Sequence, residues 1–189
     1  MTETPNPNIV DTDTLTGEMH PIRRCVLAIG SNLGERLNNL QGAVNSLADT
    51  PEVWVTAVSP VYETAPIDTP DGSEDFLNAV VLADTTLSAR TLLERALAIE
   101  DAYGRERTEE AGSPRTLDVD LIVVGDRRAH DDDLLLPHPR AHERAFVLAP
   151  WYDVEPDAEL LDHGPVAELL EKASEQSVSR RDDLSLHLQ

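Results

Sequence analysis

Residues 117–124, LDVDLIVV, constrain the fold more than any other stretch of this chain. The run is apolar and rich in branched side chains, ends at Gly125-Asp126 and alternates with a period of two, which is the pattern of a β-strand. Leu117, Val119, Leu121 and Val123 then make one face wholly apolar, while Asp118 and Asp120 open the other face ahead of Ile122 and Val124. Such a strand belongs to a sheet that is buried along one side and charged only at one end of the other. Two carboxylates this close repel each other, and once partly desolvated they need a cation or an arginine beside them. Two readings of the pair follow. Either a divalent metal sits against them, or the strand lies at an edge and its aspartates face water as a guard against aggregation.

A length of 189 residues is enough for one domain with a sizeable core and too little for two comfortable ones. Residues 1–23 are polar, acidic and proline-containing and lack apolar periodicity, so they read as a disordered acidic arm. Residues 24–175 read as the single domain and 176–189 as a charged tail of doubtful order. No signal-peptide core and no apolar stretch of membrane-spanning length is present, and a cytoplasmic location is expected. The single cysteine, Cys25, heads an apolar run, which suits a core thiol in a reducing compartment.

The formal net charge is −21, with fourteen arginines and one lysine. Nucleic acid and anionic membranes require a broad basic surface and are excluded as partners on that ground. A small anion is not excluded, because it needs only arginines gathered locally. Arg105, Arg107 and Arg115 fall within eleven residues ahead of the aspartate strand, and Arg140 and Arg144 follow it. Taken singly, each also suits a solvated pair with Glu106, Glu109 or Glu110.

Residues 25–29, CVLAI, form a strand that stops at GSNLGER, and helical spacing follows at Leu33, Leu37, Leu40, Val44 and Leu47, with Ser31 or Asn32 as the N-cap. A strand over 53–59 continues extended past Pro60. A loop rich in Pro, Asp and Gly separates it from FLNAVVLADT, where Phe76, Asn78 and Val80 share a face. Ser88 caps a helix that Gly104 stops, and Glu100 lies near its C-terminal end, where an anion needs a cation such as Arg105 beside it. Short helices around 145–152 and a final amphipathic helix at about 166–173 complete the chain. The order strand, helix, strand, strand, helix, strand predicts an α+β, ferredoxin-like fold: a mostly antiparallel sheet covered by helices, with mobile loops over a site.

LAIGSNLGER, SPVYETAP, DFLNAVV, IEDAYGRER, PRTLDVDLI and LPHPRAHERAFVLAPW stand in this order between residues 26 and 156. Together they resemble the 6-hydroxymethyl-7,8-dihydropterin pyrophosphokinases of folate biosynthesis. The resemblance implies transfer of the terminal diphosphate of ATP to the hydroxymethyl group of 6-hydroxymethyl-7,8-dihydropterin, releasing AMP. Asp118 and Asp120 then match ligands of two magnesium ions bridging the ATP phosphates, which suits hard oxygen donors. Arg105, Arg107 and Arg115 match arginines that bind the triphosphate and organise the loop between them. His138 matches a histidine that contacts the nucleotide, and Glu100 an acid near it.

For the pterin, Phe76 and Phe146 match the rings that sandwich the heterocycle, and they are the only phenylalanines in the chain. Asn78 matches the amide that reads the ring edge as both donor and acceptor. Thr64, Ala65 and Ile67 match the loop that offers backbone groups to the same ring. The resemblance also implies a monomer, open to contact with other folate-pathway enzymes. One departure stands in the loop: Ala111-Gly112-Ser113 precede Pro114-Arg115 where many relatives carry a tryptophan and a glycine. Two rivals remain, a silent pterin-binding domain and another metal-dependent nucleotidyl enzyme on the same scaffold, and ATP turnover separates them.

Overall fold

The computed structural model describes residues 20–65, 74–104 and 116–188. Its centre is strand β1 (Arg23–Ser31), an apolar nine-residue run paired antiparallel on both sides. On one side stands β4 (Phe76–Thr85) and on the other β5 (Asp118–Val124). Two shorter strands, β2 (Val53–Val58) and β3 (Tyr62–Thr64), share the far edge of β4. Between them Pro60 has no N–H to give the ladder. Ser59 bridges the gap: its backbone N–H donates to Val80 O at 2.9 Å, and its hydroxyl accepts from Val80 N at 2.8 Å.

The helices explain the alternation along the strands, which in β5 holds only as far as Ile122. A register shift opposite Val26 and Leu27 puts Val123 with Ile122 in one core and Val124 with Leu121 in the other, not Val123 with Leu121. α1 (Arg36–Ala48) and α2 (Ala89–Ala102) bury one face of the sheet, where Leu27, Ile29, Val81 and Leu121 meet Leu40, Leu47 and Leu92. On the opposite face α3 (Ala145–Val154) and α4 (Val166–Lys172) pack on Val26, Val80, Leu82 and Ile122 through Leu148, Trp151 and Leu169. That second core stops short of Phe76, Asn78, Gly30, Asp118 and Asp120. Two-residue strands β6 (Ala129–His130) with β7 (Leu135–Leu136), and β8 (Glu159–Leu160) with β9 (Gly164–Pro165), form small hairpins. The α+β antiparallel arrangement expected from the order of elements is the one observed. Among the described residues no helix is long and apolar enough to cross a membrane.

Cys25 lies fully buried on β1, and burial, with Asp84 adding to it, pushes its thiol up to about 12. The expectation of a core thiol holds at the level of packing.

Three further expectations need correction. The first helix starts at Arg36, not after a cap at Ser31 or Asn32, because β1 runs on through Ser31. Gly34, with φ +75°, turns the chain, and Asn39 reaches back from the helix to hold the turn. Its Nδ2 donates to Ser31 Oγ at 3.2 Å, to Leu33 O at 3.0 Å and to Thr116 O at 3.1 Å. The N-terminal arm does not extend to residue 23, since Arg23 is a buried member of β1 opposite Thr85, and residues 1–19 lie outside the described residues. Nor does packing end at residue 175: β10 (Val178–Arg180) joins the sheet beside β3, giving the order β10-β3-β4-β1-β5.

Candidate active site

Register decides which side chains meet. Asn78 pairs with Gly30 and Gly30 with Asp118, so these three form one row across β4, β1 and β5. Asp120 stands opposite Ala28 in the neighbouring row, and Phe76 stands opposite Thr64. Paired residues on antiparallel strands share a face. Thr64, Phe76, Asn78, Asp118 and Asp120 therefore all project from the end of the sheet that α3 and α4 leave uncovered. Two strand spacings, about 9–10 Å, separate the backbone of Asn78 from that of Asp118.

The amide end is the more enclosed. Asn78 and Thr64 are buried, and Asn78 Nδ2 donates to Thr64 Oγ1 at 2.9 Å, which sets the amide plane. A β-carbon built on Gly30 would lie 3.0 Å from Asn78 Oδ1 and 3.6 Å from Phe76 Cδ1. The amide oxygen and the ring edge thus lean over a position with no side chain, and Gly30 underlies the candidate cleft. Phe76 and Phe146 are both only partly buried, unlike core aromatics. Phe146 projects from the first turn of α3 with the Arg144 guanidinium 5.5 Å from its ring centroid. Ala65 is exposed beyond Thr64, and Ile67 lies outside the described residues.

At the carboxylate end, β5 is the last strand of the sheet, so the edge placement considered for it is met. Its aspartates, however, are partly buried on the shared face and do not stand fully in water. Glu100 is 1% exposed, and its Oε2 accepts from Val119 N at 2.8 Å. Val119 lies between the two aspartates, so this carboxylate ties α2 to the backbone that carries them. The sequence suggests a nucleotide-side role for Glu100 beside Arg105; the described contact is to β5, and Arg105, Arg107 and Arg115 lie outside the described residues.

His138 follows a cis Leu136–Pro137 bond and is held by its backbone N–H, which donates to Ile122 O at 2.8 Å. Its Nδ1 accepts from Arg140 N at 3.1 Å, so the neutral ring carries its proton on Nε2. Burial, then Arg144 and Arg140, pushes this imidazole down to about 4. It is a neutral donor at pH 7.

Magnesium commonly takes one or two protein carboxylates and completes its shell with water and phosphate oxygens. Asp118 and Asp120, same-faced and partly buried, offer that donor set. Among the described residues no group of three or more His, Cys, Asp or Glu side chains is placed to hold a metal ion.

Two positions emerge only from the structure. Asn39 clamps the turn after β1 to the approach to β5. Arg36 Nη1 donates to Asp75 O at 2.7 Å, immediately before Phe76, and to Glu63 Oε2 at 2.8 Å. Polar residues near a helix start carry no sequence signal that distinguishes such a clamp from a solvated side chain.

A helix-backed sheet with an aromatic and amide cleft at one end of a row and paired carboxylates at the other defines a class. It is an α+β protein with aromatic, amide and carboxylate side chains gathered on one face of its sheet. Comparison with known proteins makes the class specific. Residues 26–156 match the family model of 7,8-dihydro-6-hydroxymethylpterin-pyrophosphokinase. The chain is 40% identical over 157 residues to a 2-amino-4-hydroxy-6-hydroxymethyldihydropteridine pyrophosphokinase of Methylorubrum extorquens, covering 83% of this chain and 98% of that one. It is 43% identical over 160 residues to the protein of the same description in Mycobacterium tuberculosis, covering 78% and 82%. Among solved structures, Plasmodium falciparum HPPK-DHPS superposes with a TM-score of 0.63 at 15% identity, a likeness of fold. That alignment covers 82% of this chain and 45% of the Plasmodium chain, so this chain spans less than half of that protein's length. The chain belongs to the 7,8-dihydro-6-hydroxymethylpterin-pyrophosphokinase family, whose reaction is pyrophosphoryl transfer to hydroxymethyldihydropterin in folate biosynthesis.

Proposed function

We propose that this chain transfers the terminal diphosphate of ATP to 6-hydroxymethyl-7,8-dihydropterin with two magnesium ions held at Asp118 and Asp120. The observation that carries the reading is the shared row, Asn78–Gly30–Asp118, which joins the amide cleft to the carboxylates on one uncovered sheet end. A pterin in the cleft would stack on Phe76 and Phe146, and the Asn78 amide would pair with its edge while Thr64 holds that amide's plane. Thr64, Ala65 and Ile67 would border the ring with backbone groups. ATP would lie toward β5, with His138 offering Nε2–H and Arg105, Arg107 and Arg115 supplying charge to the triphosphate.

When bound, magnesium supplies charge neutralisation of the triphosphate. The chain's own residues do the rest. Glu100 keeps the Asp118–Asp120 backbone in place, and Gly30 leaves room for the hydroxymethyl arm to point along the row. A bond forms from the pterin's hydroxymethyl oxygen to the β-phosphorus while the bond from that phosphorus to the bridging oxygen of AMP breaks. AMP leaves with the bridging oxygen, and the hydroxyl proton is released. On the same reading the enzyme works in the cytoplasm as a monomer, open to contact with other folate-pathway enzymes.

The test is an assay of AMP formation from ATP, with and without magnesium and 6-hydroxymethyl-7,8-dihydropterin. AMP release that needs both is the expected result. A folded protein that binds the pterin without turnover would make it a silent binding domain, and pterin-independent AMP or pyrophosphate release would make it another nucleotidyl enzyme.

A further inference from the structure

The C-terminal segment 178–188 closes the sheet at the strand that carries Thr64. Without it, β3 would be a three-residue edge strand beside the start of β4, and such edges are held weakly. β10 is in register with the cleft: Val178 pairs with Thr64, which pairs with Phe76, and Arg180 pairs with Tyr62, which pairs with Asn78. Arg181 N then donates to Val61 O at 2.8 Å, extending the ladder by one bond.

The segment also grips β3 from both faces of the sheet. On the α3 side, Tyr62 donates its hydroxyl hydrogen to Asp153 Oδ2, and Arg180 Nη1 lies 3.6 Å from the same oxygen. On the α1 side, Arg181 Nη1 lies 3.2 Å from Glu63 Oε2, the oxygen that Arg36 Nη1 also reaches at 2.8 Å. Arg36 in turn holds Asp75 O, one residue before Phe76. Beyond Arg181 the chain stays docked. Leu184 and Leu186 pack on the first core, and His187 exchanges two backbone bonds with the Gln41 amide, at 2.8 and 2.9 Å.

We propose that residues 178–188 are a strap that positions the pterin-reading amide. It fixes β3, β3 fixes Thr64, and Thr64 fixes the Asn78 amide. The inference rests on the assignment of Asn78 and Thr64 to the pterin cleft, and Arg181 and Glu63 act in it as positioning residues. A charged, short C-terminal segment gains a specific task, and ligand selectivity becomes sensitive to a region that touches no ligand.

The experiment is a double-mutant cycle in the full-length protein, using Arg181→Ala, Asn78→Ala and both together. Equilibrium Kd values are measured for 6-hydroxymethyl-7,8-dihydropterin in the presence of a non-hydrolysable ATP analogue, and for that analogue alone. Arg181→Ala is expected to weaken pterin binding about fivefold while leaving the nucleotide Kd within about twofold. Arg181→Lys restores most of the loss, and in the Asn78→Ala background Arg181→Ala has no further effect on pterin affinity. Unchanged pterin affinity in folded Arg181→Ala, equal losses for both ligands, or additive effects in the cycle would each overturn the strap. Should Arg181→Ala not fold, the same cycle with Arg180→Ala, acting from the other face through Asp153, carries the same outcomes. If Asn78→Ala itself leaves pterin affinity intact, the cleft assignment has failed, and the strap fails with it as a pterin-positioning device.

Discussion

Gly30→Ala adds a single methyl group beneath the candidate cleft, and the structure states what it meets. Gly30 is not among the residues with positive φ, so the backbone accepts an alanine and the cost is all contact. The new carbon would lie 3.0 Å from Asn78 Oδ1, inside ordinary van der Waals range, and 3.6 Å from Phe76 Cδ1. Asn78 cannot simply retreat, because its Nδ2 is held by Thr64 at 2.9 Å and the residue is buried. Overpacking of this kind costs about 1–3 kcal/mol. If about 2 kcal/mol falls on the bound state, the pterin Kd rises about 30-fold. Asn78 and Phe76 are met with or without ligand, so part of the strain falls on the fold and shows as a lowered Tm, and the rest is felt as a displaced amide when the pterin binds. The assay is calorimetric titration with 6-hydroxymethyl-7,8-dihydropterin and a non-hydrolysable ATP analogue, with thermal unfolding of the same variant. Unchanged pterin affinity in a folded Gly30→Ala protein would show that the ring does not cross Gly30, and the row would lose its role as the floor of the pterin site.

Asp120→Ala should cut magnesium-dependent AMP formation on the order of a thousandfold while the pterin still binds, and near-normal turnover would remove the aspartate pair from the mechanism. Glu100→Ala leaves Val119 N without its buried acceptor and should destabilise the fold by about 1–3 kcal/mol, read as a fall in Tm of about 3–10 °C. A Tm within a degree of the parent would mean that Glu100 does not pin β5. His138 should titrate by NMR with a midpoint near 4, and a midpoint in the ordinary range of about 6–7 would contradict the effect of its partial burial and of the Arg144 and Arg140 charges. The sign follows from linkage: the folded value lies below the unfolded one of 6.5, so the unfolded chain takes the proton first. That contribution to stability is fully present above pH 6.5 and is lost as pH falls toward 4, and a His138→Asn variant should show a shallower loss across this window.

Local chemistry was readable along the chain. A period of two placed Asp118 with Asp120 and Phe76 with Asn78, because adjacent strand residues must point to opposite faces. Ser88 was recognisable as a cap because its hydroxyl is within reach of an amide three residues away, and it accepts from Thr91 N at 3.1 Å. The six ordered motifs carried the family. The cap at Ser31 or Asn32 was misread because β1 continues through Ser31, and because a side chain eight residues on, Asn39, holds the turn from the helix face.

Other features had no local signature. That Asn78 and Asp118 lie in one row depends on the register of two ladders with Gly30 between them, set by burial of Leu27, Ile29 and Val119 on the other face. Glu100 looks in sequence like an anion misplaced at a helix end, and only packing brings Val119 N to it. The C-terminal segment reads as charged tail because Arg180, Arg181, Asp182 and Asp183 stand side by side. Its Glu63 partner is 118 residues away, and Leu184 and Leu186 reach the core only after the chain has crossed the sheet edge. Periodicity and spacing are properties of neighbours in sequence, so the chain by itself determined its strands, its helices and its chemistry-bearing side chains. Which of those side chains face one another is a property of strands brought together across long loops, and that was decided by the burial that selects one register over its neighbours.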